Sequence, residues 1–341
     1  MGHALRTRFC LPQLNCNAYI PAVSAGRSVY LKKRREMNRI VDLHIHTVAS
    51  DGTDTPEELL AKIRDAGICV FSITDHDGIS SCTRMRELLG DTFGMPEIPG
   101  ADPRSTGQTD PIFLPGVEFS CEDEKGKYHI LGYGYRTETG GVFRTVEDTH
   151  ARRMRKLDAR LDFIREQFGF VFSEEDLDKL HRLSNPGKPH IGNLMVQYGY
   201  APSRNEAIKK YLNQFTTPDS HIRPEEAVSA ILEDSGIPVL AHPIYGDGDQ
   251  IILGEELDER VRRLKDFGLM GLECYYSGFV SKEEKTMLKL ADKYDMLVTA
   301  GSDYHGRNKL IQLGDTGYSP DPEELPRLQA FLTAVFAGDR S

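Results

Sequence analysis

The stretch IVDLHIHTVASDG, from Ile40 to Gly52, limits what this chain can fold into more than any other part of it. Side chains of a β-strand alternate between its two faces. Read as a strand, the stretch puts Ile40, Asp42, His44 and His46 on one face and Val41, Leu43 and Ile45 on the other. Two imidazoles facing a core are costly unless something binds them. Asp51 follows in a loop that closes on Asp-Gly, a turn signal.

Beyond Met37 the chain alternates strand-like and helix-like segments. TPEELLAKIRDAG opens on Thr55-Pro56 and closes on Gly67, which are helix start and stop signals. ICVFSIT reads as a buried strand and SSCTRMRELLG as a short helix. IFLPGVEFS, YHILGYGY, IPVLAHP, LMGLECYY and MLVTAGSDYHG read as further strands, the last with its following loop. RPEEAVSAILEDSG, ELDERVRRLKDFG and SKEEKTMLKLADKYD read as helices. Repeated β-then-α units with apolar strands predict a parallel sheet covered on both faces. The fold class is therefore α/β, with residues 37–142 and 222–341 as the two parts of one barrel. Between them, residues 143–221 contain no strand run. Met154, Leu157, Leu161, Ile164 and Phe168 recur at helical spacing. SEEDLDKLHRL opens on a Ser-x-x-Asp cap, and HIGNLMVQYG and SRNEAIKKYLNQF add two helices, so this part reads as a small helical subdomain inserted in the barrel. The Gly-, Pro- and Asp-rich segment from Asp91 to Thr109 reads as a surface loop. Residues 1–36 are basic, acid-free until Glu36 and aperiodic. They read as a disordered extension, or as the product of a start set too early, with Met37 the true initiator.

Polar residues cluster where the strands end. FSITDHD finishes in Asp75, His76 and Asp77; LPGVEFS carries Glu118, KYHILGYG His129 and PVLAHP His242; Asp303 and His305 follow the last strand. In α/β barrels the C-terminal strand ends are where active sites are built. Singly, each residue has a plain explanation. A lone buried His is commonly a hydrogen-bonded core residue, and for His129, inside its strand, that account is as good as any. TDHD could be a turn or a cap, with Asp75 and Asp77 orienting a ligand. Together, His44, His46, Asp51, His76, Glu118, His129, His242, Asp303 and His305 form a set that core packing does not explain. These donors exceed the roughly four to six ligands of one ion and include no cysteine. They suit two or three ions, Mn²⁺ first, with Fe²⁺ or Zn²⁺ as alternatives. Such clusters favour hydrolysis, above all of phosphate esters. A net charge of −10 argues against a protein that coats long nucleic acid. The six cysteines are scattered without a C-x-x-C pair, as expected of reduced thiols in a cytoplasmic protein. No apolar run of about 18 residues offers a membrane span.

In DLHIHTVASDGTDTPEEL, ITDHDGI, PGVEFS, AHP and GSDYHG, taken in order, the sequence resembles the PHP (polymerase and histidinol phosphatase) family of metal-dependent phosphoesterases. The resemblance implies a distorted (β/α)₇ barrel with a trinuclear metal site, and by motif position its ligands are the same nine residues. NPGKPHIGNLMVQYG and EAIKKYL are similar to the helical insertion of the subgroup that hydrolyses nucleoside 3′,5′-bisphosphates and trims short RNA from its 5′ end. Where that subgroup has Arg before Pro-His, this chain has Lys188, which keeps the charge but loses the bidentate fork. Lys188 and His190 read as a substrate-phosphate clamp; the plain account is a solvated Lys and a helix-capping His. Arg152, Arg153 and Arg155 read as a solvated helix face, and Glu273 and Tyr275 as residues lining the site. The expected protein is a cytoplasmic hydrolase acting on a small phosphorylated nucleotide, first a nucleoside 3′,5′-bisphosphate. A metal-bridging hydroxide would attack phosphorus, Asp303 and His242 would be essential, and a metal-bound water or His190 would protonate the leaving oxygen. The alternatives are 5′-to-3′ exoribonuclease action on short RNA, histidinol-phosphate phosphatase, and a non-catalytic metal-binding regulatory module.

Overall fold

The computed structural model describes residues 41–90, 111–135, 139–183, 185–217, 221–246, 250–318 and 325–337. The N-terminal extension 1–36 and the loop from Asp91 to Thr109 lie outside these residues.

One seven-stranded sheet carries the site. Its strands are β1 (Val41–Asp42), β2 (Val70–Ile73), β3 (Ile112–Asp123), β4 (Gly126–Tyr133), β5 (Ile237–Leu240), β6 (Gly271–Tyr276) and β7 (Leu297–Gly301), paired in chain order. The sheet rolls until its edges meet. The Leu43 N–H donates to the Ala300 carbonyl at 2.9 Å, the Asp303 N–H donates to the His44 carbonyl at 2.8 Å, and Ile45 bridges Tyr304. The result is a distorted barrel. Around it run α1 (Pro56–Ala66), α2 (Ser80–Leu89), α7 (Pro224–Glu233), α8 (Gly254–Asp266), α9 (Ser281–Tyr294) and α10 (Leu325–Ala337). The inserted part holds α4 (Glu174–His181), α5 (Lys188–Gln197) and α6 (Arg204–Lys210), with α3 (Gly141–Phe168) leading into it.

The expectation of a parallel sheet is corrected at one strand: β4 runs antiparallel to both β3 and β5. The cause is local. Only a tight turn separates Asp123 from Gly126, and a parallel crossover needs a dozen residues or more. The reversal matters for the site. On a parallel strand the mouth of the barrel lies at the C-terminal end, but on β4 it lies at the N-terminal end. His129, early in β4 and paired with Ser120 of β3, therefore reaches the same end of the barrel as residues that follow the other strands.

The main core packs the sheet against the outer helices and includes Val117, Ile130, Tyr133, Val239 and Leu272. A second apolar group, with Ile45, Leu59, Phe71 and Met85, lies under α1 and α2. A third, with Leu157, Ile164, Ile191, Met195 and Leu212, belongs to the insertion. The long helix α3 joins two of them. Its Val142 and Val146 pack in the barrel core and its Leu157 and Ile164 in the insertion core. The helix starts at Gly141, ahead of position 143, and its first turns are barrel structure. Buried Asp234 supplies its cap from another helix end, accepting the Gly141 N–H at 2.6 Å and the Val142 N–H at 2.9 Å.

Asp234→Ala leaves those buried N–H groups unsatisfied and unhinges the helix that carries the insertion. It is expected to lower the unfolding free energy by about 1–3 kcal/mol, read from urea denaturation, with Asp234→Asn recovering part of the loss. An unchanged urea midpoint for Asp234→Ala would refute this role.

Candidate metal centre

At the mouth of the barrel a single carboxylate organises the site. Glu118, on β3, is 1% exposed. Its Oε2 lies 3.2 Å from His44 Nε2, 3.1 Å from His46 Nε2 and 3.1 Å from His76 Nδ1. Its Oε1 lies 2.9 Å from His129 Nδ1 and 3.3 Å from His242 Nε2. Asp303 Oδ1 lies 3.3 Å from His46 Nε2 and 3.4 Å from His305 Nδ1, and Asp51 Oδ1 lies 3.1 Å from His305 Nε2. All nine donors singled out in the sequence thus come together. They grade from fully buried His44 and His46 to the exposed Asp51. The regular pairing of the first strand ends at Asp42, and residues 43–46 run on extended between β7 and β2, held by the His46 N–H on the Tyr304 carbonyl and the Thr74 N–H on the Ile45 carbonyl.

The chemistry of this set fits divalent cations. Glu118 Oε2 and His76 Nδ1 are buried and close to each other, yet neither has a hydrogen-bond partner. The rings point at shared space, with His44 Nε2 and His46 Nε2 3.1 Å apart. Three overlapping groups could each hold an ion: His46, Asp51, His76 and His305; His44, His46 and Glu118; and His76, Glu118 and His129. Burial alone would raise the Glu118 carboxyl, but the facing His76, His129 and His44 hold it well below the usual carboxylate range. Burial pushes His76 down to about 3. Burial would also lower His44 and His46, but the facing carboxylates instead push His44 well above the usual histidine range and His46 up to about 9, so a divalent ion would displace protons from those rings to reach their lone pairs.

Further side chains aim the donors. Glu273 Oε1 lies 2.9 Å from His44 Nδ1 and its Oε2 accepts the His242 N–H at 2.7 Å. Asp75 accepts from the Thr47 N–H at 2.7 Å and the Ser50 hydroxyl at 2.6 Å, fixing the loop that leads to Asp51. Asp42 accepts from the Ser302 N–H and hydroxyl and from the Gly314 N–H, which answers for its place on the imidazole face. Tyr275 does not line the site. It is core, packed on Tyr318, and Tyr276 takes the site position, its hydroxyl 2.9 Å from Asp303 Oδ2. A bulge between Glu273 and Tyr275 breaks the alternation of β6 and causes the exchange.

The insertion reaches the site through α3. Arg153 pairs with Asp77, the neighbour of His76, and with Asn185, so it is no solvated face; Arg152 pairs with Asp148, and Arg155 is exposed. Lys188 Nζ donates to Asn213 Oδ1 at 2.7 Å, and His190 Nδ1 accepts the Gly187 N–H at 3.1 Å as a cap of α5. Arg160 is buried against the Phe215 ring, and its Nε has no partner. Burial together with the charges of Arg160, Lys188 and Arg153 pushes the Lys156 ammonium down to about 8. The sequence pattern showed neither Arg160 nor Lys156, because on a helix with apolar spacing they read as ordinary flanking charges.

No protein-family model matches the chain. It is 28% identical over 279 residues to a phosphoribosyl 1,2-cyclic phosphate 1,2-diphosphodiesterase of Eggerthella lenta, covering 79% of this chain and 95% of the relative. It is 27% identical over 281 residues to the 5′-3′ exoribonuclease Rnm of Salmonella typhimurium, covering 81% and 88%. It is 28% identical over 279 residues to a 3′,5′-nucleoside bisphosphate phosphatase of Chromobacterium violaceum, covering 78% and 87%. Among solved structures it superposes on a protein of Bifidobacterium adolescentis described as a metal-dependent phosphoesterase, with a TM-score of 0.63 at 24% identity over 85% of this chain and 95% of that one. This likeness bears on the fold alone. No helix among the described residues is long and apolar enough to cross a membrane.

Glu273→Gln can satisfy His44 or the His242 N–H, but not both. Titration calorimetry of chelator-treated protein is expected to show divalent-ion binding about 10–100-fold weaker than wild type, and wild-type affinity would refute this role.

Proposed function

We propose that the chain is a hydrolase of the PHP family of metal-dependent phosphoesterases, as its relatives support, and that it removes phosphate from a nucleoside 3′,5′-bisphosphate in the cytoplasm. The observation that carries the substrate is a pairing of two regions, one that would draw phosphate through bound cations and one that carries its own cationic side chains. One is the donor cluster around Glu118. The other is the set of Arg160, Lys156 and Lys188, in which a buried guanidinium nitrogen lacks a partner. Arg153 ties the helix bearing Arg160 and Lys156 to Asp77 beside His76. A substrate with two phosphates on one ribose offers one anion to each region.

In this reading His44, His46, Asp51, His76, Glu118, His129, His242, Asp303 and His305 hold two or three divalent ions, with Mn²⁺ first and Fe²⁺ or Zn²⁺ as alternatives. Bound there, such ions neutralise phosphate charge and acidify a water molecule. The chain's own residues do the rest. Glu273 keeps the Nδ1 proton of His44 turned outward, so that its Nε2 lone pair faces the centre. Lys188, Lys156 and Arg160 bind the phosphate that is not cleaved and thereby orient the one that is. His190 accepts the Gly187 N–H at Nδ1, so its proton sits on Nε2, where it can donate a hydrogen bond to the leaving oxygen while solvent supplies the proton.

A second reading rests on the Eggerthella relative, matched over 95% of its length. A ribose carrying a phosphate and a cyclic phosphate presents the same two anions.

The test is a side-by-side assay of manganese-loaded enzyme on a nucleoside 3′,5′-bisphosphate, a 5′-phosphorylated oligoribonucleotide, a ribose 5-phosphate 1,2-cyclic phosphate and histidinol phosphate. The bisphosphate is expected to give the highest kcat/KM. Turnover of none of them, by a protein that does bind the ions, would leave a metal-binding regulatory module. Lys188→Met is expected to raise KM for the bisphosphate tenfold or more while kcat changes little, because uniform binding is lost.

A further inference from the structure

Asp303 is held by both of its oxygens, and the two sides of the carboxylate face different surroundings. Oδ1 points into the imidazole cluster, 3.6 Å from His44 Nε2, 3.3 Å from His46 Nε2 and 3.4 Å from His305 Nδ1. Oδ2 points the other way, accepting the Tyr276 hydroxyl at 2.9 Å and the Lys309 ammonium at 2.6 Å. Asp303 is 4% exposed, whereas the Lys309 side chain is 38% exposed. The Asp303 backbone has φ 57, a conformation that a residue with a side chain rarely adopts. The segment that brings Lys309 back is itself pinned. The Arg307 N–H donates to Thr53 Oγ1 at 2.9 Å, and the Asn308 amide donates to the Asp51 carbonyl at 2.7 Å. One short loop after β7 therefore braces both Asp303 and the loop of Asp51.

We infer that Lys309 and Tyr276 form a clamp on Asp303 Oδ2 that reserves Oδ1 alone for a divalent ion and fixes its direction of approach. The inference rests on the reading of Asp303 as a metal ligand. A free carboxylate can rotate or offer both oxygens to one ion. A charge-assisted bond at 2.6 Å and a phenol at 2.9 Å occupy the second oxygen and make that rotation costly in a buried site. Lys309 and Tyr276 are positioning residues here, acting on the ion through Asp303. Tyr276 gains this place from the bulge in β6, and Lys309 from a loop with no periodicity to reveal it.

The test uses the full chain, stripped with chelator and titrated with Mn²⁺ by calorimetry, with bound metal per chain measured by elemental analysis. Lys309→Met is expected to weaken at least one Mn²⁺ binding step about tenfold or more and to lower kcat with KM unchanged. Lys309→Arg should restore both. Tyr276→Phe should act in the same direction and add little to Lys309→Met, since both hold one oxygen. Wild-type Mn²⁺ affinity and stoichiometry in both Lys309→Met and Tyr276→Phe overturns the clamp. So does a change in KM alone, which would place Lys309 on the substrate. Asp303→Asn separates the two levels. If it binds Mn²⁺ as wild type does, the reading of Asp303 as a ligand fails. If it loses Mn²⁺ while the Lys309 and Tyr276 variants keep it, only the clamp fails. Should Lys309→Met not fold, the Mn²⁺ affinity of Tyr276→Phe alone supports or overturns the clamp.

Discussion

A carboxylate buried among five imidazoles is the constraint that the rest of this structure answers to. Glu118 sits at 1% exposure with its Oε2 unbonded although three ring nitrogens crowd it within 3.2 Å. Left to itself such an arrangement is costly, because desolvated polar groups gain little unless they bond. The barrel supplies the means of holding it. His44 and His46 come from the segment after β1, His76 from the end of β2, His129 from reversed β4 and His242 from the exit of β5, so no single element can relax and separate the donors. The cost appears in the backbone as well. Asp77, His242 and Asp303 all have positive φ, each about 1–3 kcal/mol of strain by the usual reckoning. All three lie just beyond strands β2, β5 and β7, where the chain turns away from the sheet. Cations between these donors would convert a set of conflicts into bonds.

Much of this centre was legible in the sequence, since its donors obey a rule that local pattern can show. Apolar strands followed at once by His, Asp or Glu announce a barrel mouth, and all nine donors do converge there. Two parts of the molecule were hidden for geometric reasons. The reversal of β4 follows from the length of one turn, and it explains why His129 stands inside its strand when the other histidines of the centre and Asp303 follow theirs. The bulge in β6 changes which of two adjacent tyrosines faces the site, and a period of two cannot reveal a register slip. Lys309 and Arg160 were hidden for another reason. A Lys in a loop and an Arg on an amphipathic helix are ordinary surface residues until a fold buries the groups around them.

The helical insertion and the barrel divide the work. The barrel holds the donor cluster that could bind ions, and relatives at 27% and 28% identity bear names for an RNA, a cyclic phosphodiester and a nucleoside bisphosphate. If such relatives use one kind of centre, the proposed function leaves discrimination to whatever element reaches it. In this chain that is α3, anchored by Asp234 at one end, tied to Asp77 by Arg153 along its length, and carrying Lys156 and Arg160 toward Lys188. A single helix thus connects the barrel core, the metal-site loop and the cation set. Under the proposed function, any displacement of it would move the second anion site relative to the donor cluster, and the spacing of two phosphates would then separate these ligands. With Lys188 in place of Arg, its proposed phosphate contact would be a point charge on a flexible stem, while the buried Arg160 keeps the planar, forked geometry. Under the proposed function Arg160, held against Phe215, would be the fixed end of that second anion site.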